Sequence, residues 1–462
     1  MLKEYVKVET HLNQSLEQRR LRPGTLIAWF EIALIGLGLL GNFFLLQHVM
    51  WWPDGGFRFE ALSELITRGK IPDTKYSLVM PLFSIPFWTL DKVGQTFWWT
   101  THYNVFVFGA GLLVTYRLLK DHIDRGLLRK FFLLLTVASM FSHHLLFYFG
   151  EVFTAIFVAV GCIAIVVGPV TVGWCAIILG VVNTPATIIG LILLGTKHML
   201  ANKRMRYALV IIIGAALIML EAWIRRGSPF ASGYAGEQVA RTIMPYSGRP
   251  GFSYPIFFGL SSLLLSFGKG IFFFAPGLLL PIRQTLRKVK SATKVDLFAI
   301  YTLWIGFLVG LLLIYSCYWS WHGGWFWGPR YLLFASIPAS FALAVRLRWR
   351  DASLWMNIVI ILVLCLSIWV GIEGAVYADD ALRNVCAPTW QGNELLCYYA
   401  PEFSALWYPF VVYQPLSSGQ ILYLLYSLFI GIYLLIPLLI TTRHQLITTA
   451  RERGWTRLNL RF

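Results

Sequence analysis

The sequence predicts an all-α, polytopic membrane protein, and three observations carry that reading. Of 462 residues, 57% are apolar and only 13% charged, at a mean hydropathy of +0.65; about a quarter of a soluble domain is charged. The apolar residues fall in runs approaching the roughly 20 that a bilayer crossing requires. Aromatic residues reach 16%, with 19 Trp, as suits a chain with many membrane–water boundaries to anchor. A balance of 39 basic against 22 acidic residues would suggest nucleic acid in a soluble protein. Here most basic residues lie between the runs, in segments that the positive-inside bias places in the cytoplasm, and the nucleic-acid class drops out.

Each run reads as a helix, because open backbone polar groups are prohibitive in hydrocarbon. The spans are 25–50, 97–118, 131–149, 151–168, 170–183, 185–200, 207–224, 256–281, 296–318, 331–347, 354–372 and 419–441. This gives about 12 transmembrane helices, with both termini cytoplasmic and the chain in the inner or plasma membrane. Residues 1–24 are polar and contain Arg19, Arg20 and Arg22, so the first run is a retained span rather than a cleaved signal. Gly168-Pro169 and Asn183-Thr184-Pro185 break the long stretch 150–196 into short helices, which returns Lys197, Lys203, Arg204 and Arg206 to the cytoplasmic side. The chain divides into a membrane module over 25–350, C-terminal helices over 351–441 with an external loop at 373–418, and a cytoplasmic tail at 442–462.

Four external segments remain: 51–96, 225–255, 318–330 and 373–418. In the first, Phe57, Ala61, Leu62, Leu65 and Ile66 follow helical spacing and predict an interfacial helix lying flat on the membrane. Asp54 precedes it, with Trp51 and Trp52 to fix it at the interface and Gly55 and Gly56 to admit a ligand. A carboxylate there can take a proton from a hydroxyl beside a lipid-borne substrate. In SHHLLFYFGE, His144, Tyr148 and Glu151 fall at i, i+4 and i+7, one face of a helix end, with His143 alongside. Such ionisable residues near a membrane surface are functional candidates. In SFGKGIFFFAPG, Lys269 sits at a Gly-Lys-Gly break that can turn backbone N–H groups and an ammonium toward a phosphate. In WSWHGGWFWGPRYLLF, His322 is a further substrate-binding candidate, and Arg330 on the outer face runs against the positive-inside trend, which implies an anionic partner. Glu221 and Arg225 pair at i, i+4. No metal site is read, since HExxH spacing and nearby thiolates are absent; a divalent metal stays open. Cys386 and Cys397, in one external loop, are expected to form a disulfide. Cys162, Cys175, Cys317 and Cys365 act as small hydrophobes in the spans.

Together these segments resemble the GT-C superfamily, multi-spanning glycosyltransferases that take sugar from a polyprenyl-phosphate carrier and that include the aminoarabinose and protein O-mannosyl transferases. The resemblance runs over about 50–335, through the acidic residue after the first span with ALSELITRGKI…KYSLVMPLFSIP, then FYFGEVFTA, SFGKGIFFFAPG and WHGGWFWGPRYLLF. It implies that Asp54 is the catalytic base, Glu151 a second acidic residue at the outer face, and Lys75, Lys269 and Arg330 candidates for the carrier phosphate. Relatives commonly place an Arg before the Pro at the break that this chain writes Asn183-Thr184-Pro185, so that phosphate contact must come from another loop.

Polyprenyl phosphate is already a good leaving group, so cations that stabilise it and one base for the acceptor hydroxyl suffice, with inversion at the anomeric carbon. The implied partners are a polyprenyl-phosphate sugar, membrane lipids and a hydroxyl acceptor, with no resident cofactor. The rival classes are a secondary transporter or lipid flippase, whose sites lie near mid-membrane, and a polymerase or ligase of lipid-linked glycans.

Overall fold

The computed structural model describes residues 23–50, 53–231, 233, 244–245, 248–290, 295–324, 326–349, 352–377 and 394–452. Trp51, Trp52, Lys294 and Cys386 lie outside the described residues, as do most of 1–24 and the end of the tail. The described residues are helical, with no strand among them and one isolated bridge between Val49 and Phe147. The principal helices are α1 Pro23–Leu45, α2 Pro53–Arg68, α3 Tyr103–Leu119, α4 Arg125–Val137, α5 Gly150–Val167, α6 Val170–Asn183, α7 Ile188–Asn202, α8 Ala208–Arg226, α9 Ile256–Leu265, α10 Leu297–Ser316, α11 Ser336–Arg348, α12 Leu354–Val376 and α13 Ser418–Glu452. Seven helical stretches are long and apolar enough to cross a membrane: Thr25–Leu45, Gly150–Val167, Met205–Arg226, Leu297–Ser316, Arg330–Arg348, Leu354–Val376 and Ser418–Ala450. Tyr103–Leu119, Val170–Asn183 and Ile256–Leu265 are shorter apolar helices. This is the pattern of a multi-pass membrane protein.

The breaks at Gly168-Pro169 and Thr184-Pro185 fall where the sequence puts them, since proline cannot donate within a helix. α5 and α6, joined at the first break, pack closely: a Cβ on Gly161 would lie 2.6 Å from the Gly173 carbonyl oxygen. Small residues at such crossings let helix backbones approach.

Two expected spans do not run through. The helix expected over 131–149 ends at Val137, and apart from one turn at Phe141–His144 the chain to Phe149 is irregular. Its backbone groups are satisfied elsewhere: Leu146 carbonyl accepts from Val49 N–H at 2.8 Å, and the Asn104 amide donates to the carbonyls of Phe147 and Phe149 at 2.6 and 2.9 Å. Irregular backbone at membrane depth is tolerated where protein buries it, and 141–150 is buried throughout. His144, Tyr148 and Glu151 therefore do not share one helical face. The run 256–281 is likewise split, α9 ending at Leu265 and a turn resuming at Ile271. Gly268, in the gap, donates to Tyr398 carbonyl at 3.1 Å.

The interfacial stretch is helical as expected, and Ala61 and Leu62 of the expected stripe are buried, but the stripe is rotated: Asp54, Arg58 and Phe59 join them inside, while Phe57 and Ile66 are exposed. Opposite charges at i, i+4 can share a buried face when partners meet them from other elements, and here they do.

Contacts sort the connecting segments into two clusters. At one, Asp54 meets Arg330, Tyr254 bonds Cys317 and Val49 bonds Leu146. At the other, Arg348 meets Asp124, Arg346 donates to Pro281 carbonyl and Gln445 donates to Ala352 carbonyl. Cysteines introduced at exposed Val93 and Arg287, with exposed Cys175 and Cys365 replaced by Ser, should therefore label with an impermeant maleimide from opposite faces, Val93→Cys from outside. Labelling of both from one face would overturn the sidedness.

Candidate active site

α2 starts with Pro53 at its first position, where a missing N–H costs nothing, and puts Asp54 in its first turn, where a negative charge is favoured. The Asp54 side chain is buried, 7% exposed, and its carboxylate lies 2.7 Å from Arg330 Nη2 and accepts a hydrogen bond from the Tyr76 hydroxyl. Burial alone would push this carboxyl up; Arg330, then Tyr76, Arg58 and Lys75 outweigh it and hold the carboxyl below its ordinary value.

Arg330 reaches the interior because it heads the stretch Arg330–Arg348, almost wholly buried in the bundle. Its Nε lies 3.8 Å from Glu151, in the first turn of α5, so one guanidinium bridges both predicted acids. Neither Nε nor Nη1 has a hydrogen-bond partner among the described residues. The guanidinium packs over the rings of Phe326 at 4.3 Å, Tyr331 at 5.1 Å and Phe149 at 5.6 Å.

Lys269 stands behind this group. It is 2% exposed and donates to the carbonyls of Phe326 and Gly328, the latter at 3.0 Å. It thus braces the loop that delivers Arg330 and does not touch the carboxylates. Lys75 is half-buried, its ammonium 5.2 Å from the centre of the Tyr76 ring. His322 Nδ1 accepts from Gly324 N–H at 2.9 Å and lies 3.0 Å from the Tyr398 hydroxyl. Burial, then nearby Lys269, pushes its pKa down to about 3, so this ring is neutral at ordinary pH and adds no positive charge. His143 and His144 sit deeper, donating from Nδ1 to the carbonyls of Gly374 at 2.8 Å and Met140 at 2.9 Å. The His143 ring packs tilted against Trp327, with centroids 4.7 Å apart. Both support the floor of the site through backbone groups.

One residue escaped the sequence reading. Arg58, a turn beyond Asp54 on α2, is 7% exposed, places its guanidinium 4.7 Å from the Tyr76 ring centre, and donates a long bond to Ser77 carbonyl at 3.3 Å. No carboxylate forms an ion pair with it among the described residues. A Cβ on Gly150 would lie 2.9 Å from its Nη2 and 3.0 Å from the Asn183 amide, so a guanidinium does stand beside Asn183, where the sequence lacks one. Asn183 itself ties the 78–83 segment down, accepting from Met80 N–H at 3.0 Å and donating to Gly150 carbonyl at 2.9 Å. The signal for Arg58 was the Asp54–Arg58 spacing, which puts both on one face.

Among the described residues, the guanidinium groups of Arg58 and Arg330 thus stand beside the carboxylates of Asp54 and Glu151, with Lys75 on the far side of Tyr76 and Lys269 behind the Arg330 loop. Among the described residues no group of three or more His, Cys, Asp or Glu could hold a metal ion. Two other buried acids are engaged elsewhere: Asp91 caps a helix, accepting from the N–H groups of Trp99 and Thr100 at 2.8 Å each, and Glu373 accepts from the Trp327 indole N–H.

An apolar groove of about 560 Å³ lies beside the site, walled by Leu65, Ile71, Leu78 and Leu82 on one side and by Val182, Leu217 and Leu220 on the other. Glu221 and Arg225 line one part of it, ion-paired at 3.1 Å as expected. Arg225 also donates to Thr74 Oγ1 at 2.7 Å, and Glu221 accepts from Leu78 N–H at 3.0 Å. The segment 72–78 therefore forms a shared wall, gripped by α8 on the groove side and presenting Tyr76 to Asp54 on the other. Cys397 is buried and disulfide-bonded; its expected partner Cys386 lies outside the described residues. The other four cysteines are free.

Gly55 does not open space for a ligand. A Cβ there would meet the Met50 carbonyl oxygen at 2.6 Å, so its use is close approach of the chain's own backbone. Gly55→Ala should destabilise the protein by about 1–3 kcal/mol through overpacking and displace Asp54, readable as a lowered melting temperature in detergent; an unchanged melt would refute the packing argument.

No known protein family, curated protein or solved structure matches the chain.

Proposed function

We propose that the chain is a membrane glycosyltransferase that moves a sugar from a polyprenyl-phosphate carrier to a hydroxyl acceptor at the outer face, inverting the anomeric centre. The observation that carries this reading is the surplus of buried positive charge around Asp54. A buried guanidinium without a carboxylate is costly unless a partner arrives; Arg58 has no carboxylate partner among the described residues, and Nε and Nη1 of Arg330 lack hydrogen-bond partners there. A phosphate answers that demand, and the neighbouring apolar groove suits the lipid tail that such a phosphate carries. The reading carries with it about twelve passes of GT-C type with both chain ends on the cytoplasmic side, of which seven long and three shorter apolar helices are in place.

In this mechanism the carrier phosphate takes up the open nitrogens of Arg330 and the charge of Arg58 and Lys75. Arg330 shifts part of its attention from Asp54 to the phosphate, and the carboxylate becomes free to accept the acceptor's hydroxyl proton. The acceptor oxygen bonds the anomeric carbon as the bond from that carbon to the phosphate oxygen breaks. The departing polyprenyl phosphate gains negative charge against preorganised cations, where electrostatic stabilisation is strongest. Lys269 positions the Arg330 loop, and Glu151 holds the guanidinium when Asp54 lets go.

Purified protein in liposomes supplied with polyprenyl-phosphate hexose or pentose and a simple hydroxyl acceptor tests the reading. Consumption of the lipid-linked sugar without solute or lipid translocation is expected. Translocation without bond cleavage would replace the enzyme by a transporter or flippase.

A further inference from the structure

At the opposite end of the bundle, α1, α4 and α13 build a second charged feature. Glu31 of α1 is 1% exposed. Its carboxylate lies 2.5 Å from Arg129 Nε and 3.2 Å from Lys130 Nζ, and it accepts from the Tyr433 hydroxyl at 3.0 Å. Arg348, ion-paired with Asp124 at 2.7 Å, is also within electrostatic reach of Glu31. Among the described residues, the three cations Arg129, Lys130 and Arg348 thus face two carboxylates, Glu31 and Asp124. Beside Lys130 opens a groove of about 480 Å³, apolar along Leu26, Phe30, Leu347 and Pro437. Leu26 and Phe30 are 54% and 41% exposed, on a helix long and apolar enough to face lipid.

We propose that this groove binds one anionic phospholipid, its phosphate against Lys130 and an acyl chain along the apolar walls. Two features must be met together. A zwitterionic lipid would fill the groove but leave the surplus charge, whereas a soluble anion would take the charge but leave the apolar walls in contact with whatever else diffuses there. An anionic headgroup on an acyl chain satisfies both, and basic pockets between spans at a membrane surface attract such lipids. The lipid would tie α1 to α4 and α13, the first helix to the last, at the end of the molecule remote from the chemistry. This inference stands whether or not the transferase reading does.

Native mass spectrometry of the full chain in detergent, given equimolar dioleoyl phosphatidylglycerol and dioleoyl phosphatidylcholine, tests it. One phosphatidylglycerol should be retained in preference to phosphatidylcholine. Lys130→Gln should lower that preference roughly fivefold, as expected for one cation near a lipid phosphate. Leu26→Trp, which obstructs the groove and leaves the ion cluster intact, should lower retention of both lipids; exposed Lys203→Gln should change neither. Equal retention of the two lipids by the wild-type chain, or a preference unmoved by Lys130→Gln, overturns the proposal. If Lys130→Gln does not fold, Leu26→Trp decides, and undiminished phosphatidylglycerol retention in it is equally fatal.

Discussion

Asp54→Asn is expected to lower sugar transfer by about 10²–10⁴-fold, the usual contribution of a positioned general base, while carrier binding stays nearly intact. Asparagine keeps the side chain's shape and can still accept from Tyr76, but it cannot take a proton. It also releases Arg330 Nη2, which lies 2.7 Å from the native carboxylate, so a phosphate meets less competition and binding should not fall. The pH profile adds a sharper check. In the free enzyme Arg330, Tyr76, Arg58 and Lys75 overcome the effect of burial and keep the Asp54 carboxyl below its ordinary value, so the acid limb of kcat/KM should lie below the ordinary carboxylate range. Once the carrier phosphate engages Arg330, the carboxylate loses part of its strongest opposing charge and its pKa rises. The acid limb of kcat, which reports the bound complex, should therefore lie at higher pH than that of kcat/KM. Coincident limbs would mean that Arg330 stays on Asp54 throughout, and the proposed release would fail.

Much of the multi-pass helical architecture was legible because it depends on run length and on the breaks at Pro169 and Pro185. The failures are local. The segment 138–149 is as apolar as a span, and composition cannot reveal that Asn104 and Val49 hydrogen-bond its backbone. The same substitution of partners explains the histidines. His143 and His144 are polar residues in an apolar run, and each finds a backbone carbonyl inside the protein. On α2 the apolar periodicity correctly gave Ala61 and Leu62 as buried but not Phe57 and Ile66, because the helix also turns Asp54 and Arg58 inward, where Arg330, Tyr76 and Ser77 receive them. Those partners are separated from α2 by as much as the length of the membrane module, and no local pattern encodes them. The convergence of Asp54, Glu151 and Arg330, by contrast, was readable from an arginine at the head of an apolar run: such a charge, once buried, needs an acid.

Arg330→Ala should prove the most damaging single change, and for a reason beyond loss of a phosphate contact. The guanidinium is the shared partner of Asp54 and Glu151, so its removal leaves two poorly solvated carboxylates without the charge that bridges them. Breaking a buried pair in this way costs about 3–5 kcal/mol, which should appear as a large drop in thermal stability in detergent or bicelles. The double variant Asp54→Asn with Arg330→Met removes the pair together and should recover part of that loss, since replacing a buried pair by neutral groups is often close to neutral. The two pH dependences should run in opposite directions. In the wild-type chain the Asp54 carboxyl is depressed on folding, so its contribution is fully present above the unfolded value of about 3.9 and is lost as pH falls through the folded one. In Arg330→Ala the strongest opposing charge is gone, burial gains the upper hand over Asp54, and protonation relieves the strain. That variant should therefore recover stability relative to wild type on acidification. If Arg330→Ala and the double variant melt together at every pH, the carboxylates are not held by Arg330, and the charge surplus around Asp54 loses its meaning as a phosphate site.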